Sequence, residues 1–221
     1  MASELRTVLV VGTGLIGTSA ALALRKHDVR VLLADRDPGA VRLARELGAG
    51  EEWDPDRLPA ERVDLAIIAV PPAQVAGELL ELQKRGTARF YTDVASVKAE
   101  PIQQAERLGC DLTSYVASHP LAGREKSGPG AARADLFLGR PWALCPTAEA
   151  GAEARAAVLA LVELCGANPV EVGAEEHDRA VAVVSHAPHV AASAVAARLA
   201  DATDVALGLA VQGVRDVTRI A

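Results

Sequence analysis

The sequence predicts an α/β fold, a doubly wound parallel sheet followed by an all-helical segment, and three observations predict it. Short apolar runs alternate with amphipathic stretches along residues 1–173. These runs are apolar on both faces, as strands covered by helices on both sides require. From Glu175 onward the strand signal stops for nearly thirty residues of helical composition.

Taken in order, Thr7 to Val11 (TVLVV) is a β-branched run that meets a glycine cluster. The following LIGTSAALALRKH has helix-forming composition and ends in positive charge, so the opening reads strand, tight turn, helix. Val29 to Ala34 (VRVLLA) is the second strand; in DPGAVRLARELG, Asp37 and Pro38 mark a helix start and Gly48 its end. The unit then repeats through VDLAIIAV (Val63 to Val70), QVAGELLELQKR, ARFYTDVA, EPIQQAERLG and SYVAS. Beyond Gly128, RPWALCP reads as a strand, the stretch from about Ala148 to Cys165 as a long alanine-rich helix, and NPVEV as a short strand. A sheet domain is therefore expected over 1–173 and a helical domain over 174–221. So short a helical domain buries little core of its own, and is expected to lean on a second copy as a homodimer or to be incomplete.

Composition narrows the function. Half of the 221 residues are apolar but only 3% are aromatic, so the core must be built from Ala, Val and Leu. The net charge of −6 and scattered arginines lack the one-faced basic stripe that nucleic acid requires. No apolar run is expected to approach the ~18 residues of a bilayer span, and MASELR is too polar for a signal-peptide core; the reading is cytoplasmic, with no membrane partner. Cys110, Cys145 and Cys165 are odd in number and lack CxxC spacing, so buried free thiols are expected.

Gly12, Gly14 and Gly17, with Leu15 and Ile16 between the last two, form G-x-G-x-x-G between the first strand and the first helix. The first glycine permits the tight turn, the second lets backbone approach a pyrophosphate, and the third allows close helix packing. The helix N-terminus offers N–H groups to the phosphates. This is the Rossmann-type arrangement. Asp35 ends the second strand near the ~20-residue offset at which an acid takes the adenosine ribose hydroxyls, which favours NAD and leaves NADP possible through Arg36. Val70, Pro71 and Pro72 close a later strand at the same carboxyl edge and are expected to give van der Waals and carbonyl contacts.

Two polar side chains converge on that edge. Ser96, in TDVASVK, ends one strand and His119, in SHPLAGREKSG, ends the next. A hydroxyl that loses hydride must also lose a proton to a positioned base. Ser96 also fits a plain helix N-cap. In the helical segment, His186 and His189 lie three apart on one face with His177 upstream; no carboxylate cluster accompanies them, so no metal is expected, and interface or core histidines remain open. Pro188 between them is expected to kink the helix. Arg124 and Glu125 follow His119 in a loop that either gates a pocket or is simply solvated. Asp216 is expected to pair with Arg215 or Arg219.

GTGLIGTS, TDVASVK, SHPLAGREKSG, HDRAVAVVSHAPHVAA and VRDVTRIA, in this order, resemble the motifs of the prephenate and arogenate dehydrogenases of tyrosine biosynthesis. The resemblance implies an NAD(P)-dependent oxidative decarboxylation in which hydride leaves the ring carbon bearing the hydroxyl, CO2 leaves the quaternary carbon and the ring becomes aromatic. It implies that His119 deprotonates the hydroxyl, that Ser96 supports His119 and the cofactor, that Arg219 binds a substrate carboxylate as a bidentate donor, and that His189, with His186 beside it, lines the substrate pocket. The substrate it implies is prephenate, with arogenate, which carries an amino in place of a keto group, as the alternative. A non-catalytic NAD-binding sensor and another small-molecule reductase are the readings of a different kind. Members of the family usually continue past the last motif with helices that complete a dimer and wall the pocket; this chain stops directly after it.

Overall fold

A computed structural model describes residues 5–54 and 62–219. Among them the strands are β1 (Thr7–Val11), β2 (Arg30–Ala34), β3 (Glu51–Glu52), β4 (Val63–Ile68), β5 (Ala88–Asp93), β6 (Tyr115–Pro120), β7 (Pro141–Cys145) and β8 (Asn168–Glu171). They form one sheet in the order β3-β2-β1-β4-β5-β6-β7-β8. The helices between them are α1 (Leu15–Arg25), α2 (Pro38–Glu46), α3 (Pro72–Lys84), α4 (Ala99–Leu108) and α5 (Ala152–Leu164). The strand order reverses between β1 and β4, which opens a crevice at the carboxyl ends of these strands.

The doubly wound arrangement shows in a single strand. Val8 and Val10 of β1 pack with Leu24 of α1 and Leu161 of α5, whereas Leu9 and Val11 pack with Leu79 of α3 and Ile102 of α4. Both faces of the strand are buried, hence its unbroken apolar run. Helix starts follow local chemistry: Asp37 accepts a hydrogen bond from Gly39 N, with Pro38 at the first helical position of α2.

Two features of the sheet depart from the expected parallel pattern. β7 runs antiparallel to β6. A parallel return needs a crossover, usually a helix, but between Pro120 and Pro141 there is only a 3-10 turn at Pro129–Ala131, so the chain comes straight back. β3, two residues long beside β2, is too short to show in a hydrophobic pattern.

The chain divides into two compact units, up to His177 and from Asp178; the sequence had suggested 173/174. Beyond β8 come α6 (Ala174–Val181), a π-helical segment (Ala182–His186), α7 (Ala187–Leu199), α8 (Asp204–Gly208) and α9 (Gln212–Thr218). The π turn directly precedes Pro188. It lies where the missing proline N–H leaves the carbonyl of Val184 without its usual donor, so the ladder is rearranged at that point.

One expectation is corrected. Helix Ala174–Leu199 is 26 residues long, and its most apolar 18-residue window has a mean hydropathy of 1.4 with only 11% of it buried, so by length and composition it could cross a bilayer. The run is interrupted only by Ser, His and Pro, none of which adds a fixed charge: Ala180 to Ala197 contains no Asp, Glu, Lys or Arg. Val183, Val184, Val190 and Leu209 of the second unit are all exposed, Leu209 at 75%.

Candidate active site

The glycine loop is built by close backbone approach. Gly12 has φ +101°, and a Cβ there would lie 2.2 Å from the Ala69 carbonyl oxygen; a Cβ on Gly17 would lie 2.0 Å from the Gly12 oxygen. Only hydrogen fits at either position. Around Gly14, by contrast, a Cβ would meet nothing within 4 Å. The N-terminus of α1, which includes Leu15 and Ile16, has no side-chain cap. An open glycine below uncapped helix amides is a cradle that fits a pyrophosphate.

Asp35 braces this loop. Its Oδ2 accepts hydrogen bonds from Thr13 N at 2.6 Å and Thr13 Oγ1 at 3.1 Å, and its Oδ1 accepts one from Asp37 N at 2.9 Å. A carboxylate accepts about four bonds, so the same group can hold the loop and still take a ribose hydroxyl. Arg36 beside it is exposed. Val70 is half-buried against the apolar cluster on the α3 and α4 side, and Pro71 is exposed ahead of α3.

Further along the edge, β5 and β6 end in a buried polar network that sequence reasoning did not single out. Asp93 and Lys98 are both fully buried and form an ion pair. Asp93 also accepts hydrogen bonds from Tyr115 Oη at 2.6 Å and Ala95 N at 2.8 Å, while Lys98 Nζ donates to the Ser118 carbonyl at 2.7 Å. Ser118 Oγ donates to the Asp93 carbonyl at 2.8 Å and accepts from Trp142 Nε1 at 3.0 Å. Burial first, and then the Asp93 charge, push the Tyr115 hydroxyl well above its ordinary pKa. The signal was in the quoted motifs, an Asp and a Lys five apart in TDVASVK and the serine before His119, but isolated polar letters in apolar strands do not reveal their partners.

His119 follows Ser118 and stands half-buried near the end of β6. Its Nδ1 shares a 2.9 Å hydrogen bond with Nε2 of His177, a residue 3% exposed in the first turns of α6. Ser96 lies at the same sheet edge, exposed, and makes no side-chain hydrogen bond among the described residues. The N-cap of α4 is Lys98, without a side-chain cap bond, so Ser96 does not cap that helix. The glycine loop and His119 lie three strands apart, about 14 Å along the edge at ~4.8 Å per strand.

The remaining candidates fall elsewhere. Arg124 is tied to its own loop by a hydrogen bond from Nη1 to the Ala131 carbonyl at 2.9 Å, and Glu125 beside it is exposed. His186, His189 and Arg219 belong to the second unit, where His186 is half-buried and the other two are exposed. Asp216, expected to pair with an arginine, instead accepts from Gln212 Nε2 at 2.7 Å, because Gln212 sits one helical turn back on the same face. Among the described residues no metal-binding group of His, Cys, Asp and Glu is found. Among the described residues no disulfide is formed; Cys145 and Cys165 are buried and Cys110 only partly so.

Comparison with known proteins decides the family. Residues 20–171 match the family model for the nucleotide-binding domain of prephenate dehydrogenase, and residues 173–221 match its dimerization domain. The chain belongs to the prephenate dehydrogenase family. A relative from Streptomyces niveus described as "Probable prephenate dehydrogenase NovF" is 51% identical, over 93% of this chain and 56% of that protein. The prephenate dehydrogenase of Bacillus subtilis (strain 168) is 33% identical, over 97% of this chain and 60% of that protein. The chain thus spans 56 to 60% of the length of these relatives. Among solved structures, the prephenate dehydrogenase of A. aeolicus in complex with hydroxyphenyl propionate and NAD+ superposes with a TM-score of 0.85 at 27% identity, covering 100% of this chain and 79% of that one. Synechocystis arogenate dehydrogenase superposes with a TM-score of 0.76 at 29% identity, covering 97% and 78%. The family-model match to the nucleotide-binding domain begins inside α1, so the reading of the glycine loop ahead of it stands on the geometry above.

Proposed function

We propose that this chain binds NAD and serves the oxidative decarboxylation of prephenate to 4-hydroxyphenylpyruvate. The carrying observation is His119 at the same sheet edge as the glycine cradle, about 14 Å away by the ~4.8 Å strand spacing, with Nδ1 committed to His177. Gly12, Gly14 and Gly17 admit the pyrophosphate, and Asp35 receives the adenosine ribose. When bound, NAD supplies the hydride acceptor. His119 takes the proton of the ring hydroxyl at Nε2, Ser96 faces the cofactor at the end of β5, and the Asp93–Lys98 network holds the backbone on which His119 stands. The motif resemblance alone supports Arg219, His189 and His186 of the second unit as substrate-binding residues, and Arg124 and Glu125 follow His119 in its loop.

The test is initial rates with prephenate and arogenate, each with NAD and NADP. His119→Asn should lower turnover by about 10²- to 10⁴-fold, the usual worth of a general base, while NAD affinity is retained. NADH formation with neither substrate would reject the reading, and cofactor binding without turnover would favour a sensor. Arogenate is the second reading, favoured by the likeness to the Synechocystis arogenate dehydrogenase; the same assay separates the two.

The exposed valines and leucines of the second unit, in a segment matching a dimerization domain, support a homodimer in which this face meets a second copy rather than lipid. Sedimentation velocity should then give twice the chain mass. A cytoplasmic location accompanies this reading.

A further inference from the structure

We infer that His177 is a positioning residue that fixes the tautomer of His119. The rings meet edge-on, with His119 Nδ1 2.9 Å from His177 Nε2, centroids 5.1 Å apart and planes at 75°. One nitrogen of this pair must carry the shared proton and the other must accept it. If His177 donates, a neutral His119 carries its own proton on Nε2 and cannot accept another there. If His119 donates, its Nε2 holds the lone pair. Only the second arrangement makes His119 a base on the nitrogen pointing away from His177, and it requires His177 to carry its proton on Nδ1. An imidazole without such a partner favours the Nε2–H form, the wrong one for this task; the bond made by the other nitrogen decides which form is present.

The sheet, rather than a loop, delivers the partner. His119 pairs with Ala143 of β7, which pairs with Val170 of β8. The chain leaves the sheet with Val172 N bonded to the Leu144 carbonyl at 3.0 Å, and α6 is joined to that exit by His177 N donating to the Gly173 carbonyl at 2.8 Å. His177 is thus a fixed, buried acceptor two strands removed from the base it serves.

This inference rests on the reading of His119 as proton acceptor, so its test has an arm that needs no turnover. In 15N-histidine-labelled protein at neutral pH, His119 should show a protonated Nδ1 and an unprotonated Nε2, and His177→Leu should shift it towards the Nε2–H form. An Nε2–H form in the unaltered chain, or a tautomer unmoved by His177→Leu, overturns the inference whatever the enzyme does. In the kinetic arm, His177→Leu should lower kcat about 10- to 100-fold, as loss of an orienting partner typically does, with KM for NAD unchanged. His177→Gln, which places an amide oxygen near the former Nε2, should restore most of kcat. Unchanged kcat in His177→Leu, or equal losses in the Leu and Gln variants with native melting curves, overturns it. An unaltered enzyme inactive on both substrates would reject the proposed function instead, leaving the labelling arm to decide this one.

Discussion

Replacing Lys98 with methionine removes the cation from a buried pair while keeping the chain length of the side chain. Lys98 and Asp93 are both 0% exposed, so no water replaces the lost ammonium. Asp93 keeps its bonds from Tyr115 Oη and Ala95 N, whereas the Ser118 carbonyl loses the Lys98 donor. Breaking a buried pair from one side costs about 3–5 kcal/mol, against about 0–1 kcal/mol for exposed pairs such as Arg30–Glu51, whose side chains are 56% and 65% exposed. With a urea slope of roughly 2 kcal/mol/M, the unfolding midpoint should fall by about 1.5–2.5 M. Tryptophan fluorescence is the assay, because Trp142 is fully buried and donates to Ser118 Oγ at 3.0 Å. The double variant Asp93→Asn, Lys98→Met removes the stranded charge and should regain at least half of the loss. A Lys98→Met cost below about 1 kcal/mol would place the pair with exposed ones and refute the argument.

Three further outcomes follow from the same structure. Gly17→Ala, whose Cβ would lie 2.0 Å from the Gly12 oxygen, should cost at least the ~1–3 kcal/mol of overpacking in urea unfolding, while Gly77→Ala in α3, with nothing within 4 Å, should be neutral or stabilising by ~0.5–1 kcal/mol; equal effects would show that the close approach is not real. Asp35→Ala, which loses two bonds to Thr13 and one to Asp37 N, should weaken NAD binding at least about tenfold given the worth of bonds to a charged group, and an unchanged Kd by fluorescence titration would show that the brace is dispensable. Burial pushes the Cys165 thiol from 9.0 up to about 12; the unfolded thiol ionises first, so its stabilising contribution is complete below pH 9 and is lost at about 1.4 kcal/mol per unit as pH rises towards 12. Urea midpoints at pH 8 and 10.5 should therefore diverge less for Cys165→Ala than for the parent, and an equal fall would reject burial as the cause.

The β1 run, the glycine loop and the Asp37–Pro38 helix start were legible in the sequence because each is local: strand apolarity, turn geometry and capping involve residues a few positions apart. The exposed valines of helix Ala174–Leu199 were harder to weigh, since Ser, His and Pro disguise a stretch with no fixed charge. The direction of β7 was not legible at all, because it depends on the absence of a crossover helix between Pro120 and Pro141.

By itself, the sequence determined that this protein is an α/β nucleotide-binding chain with a histidine at the carboxyl edge of its sheet, since alternating apolar runs and a glycine turn follow from steric and solvation rules that act within a single element. Tertiary structure alone decided what holds that histidine. His177 lies 58 residues beyond His119 and Lys98 twenty residues before Ser118, and hydrogen bonds across such separations come from the register of neighbouring strands, which side-chain spacing along the chain does not encode.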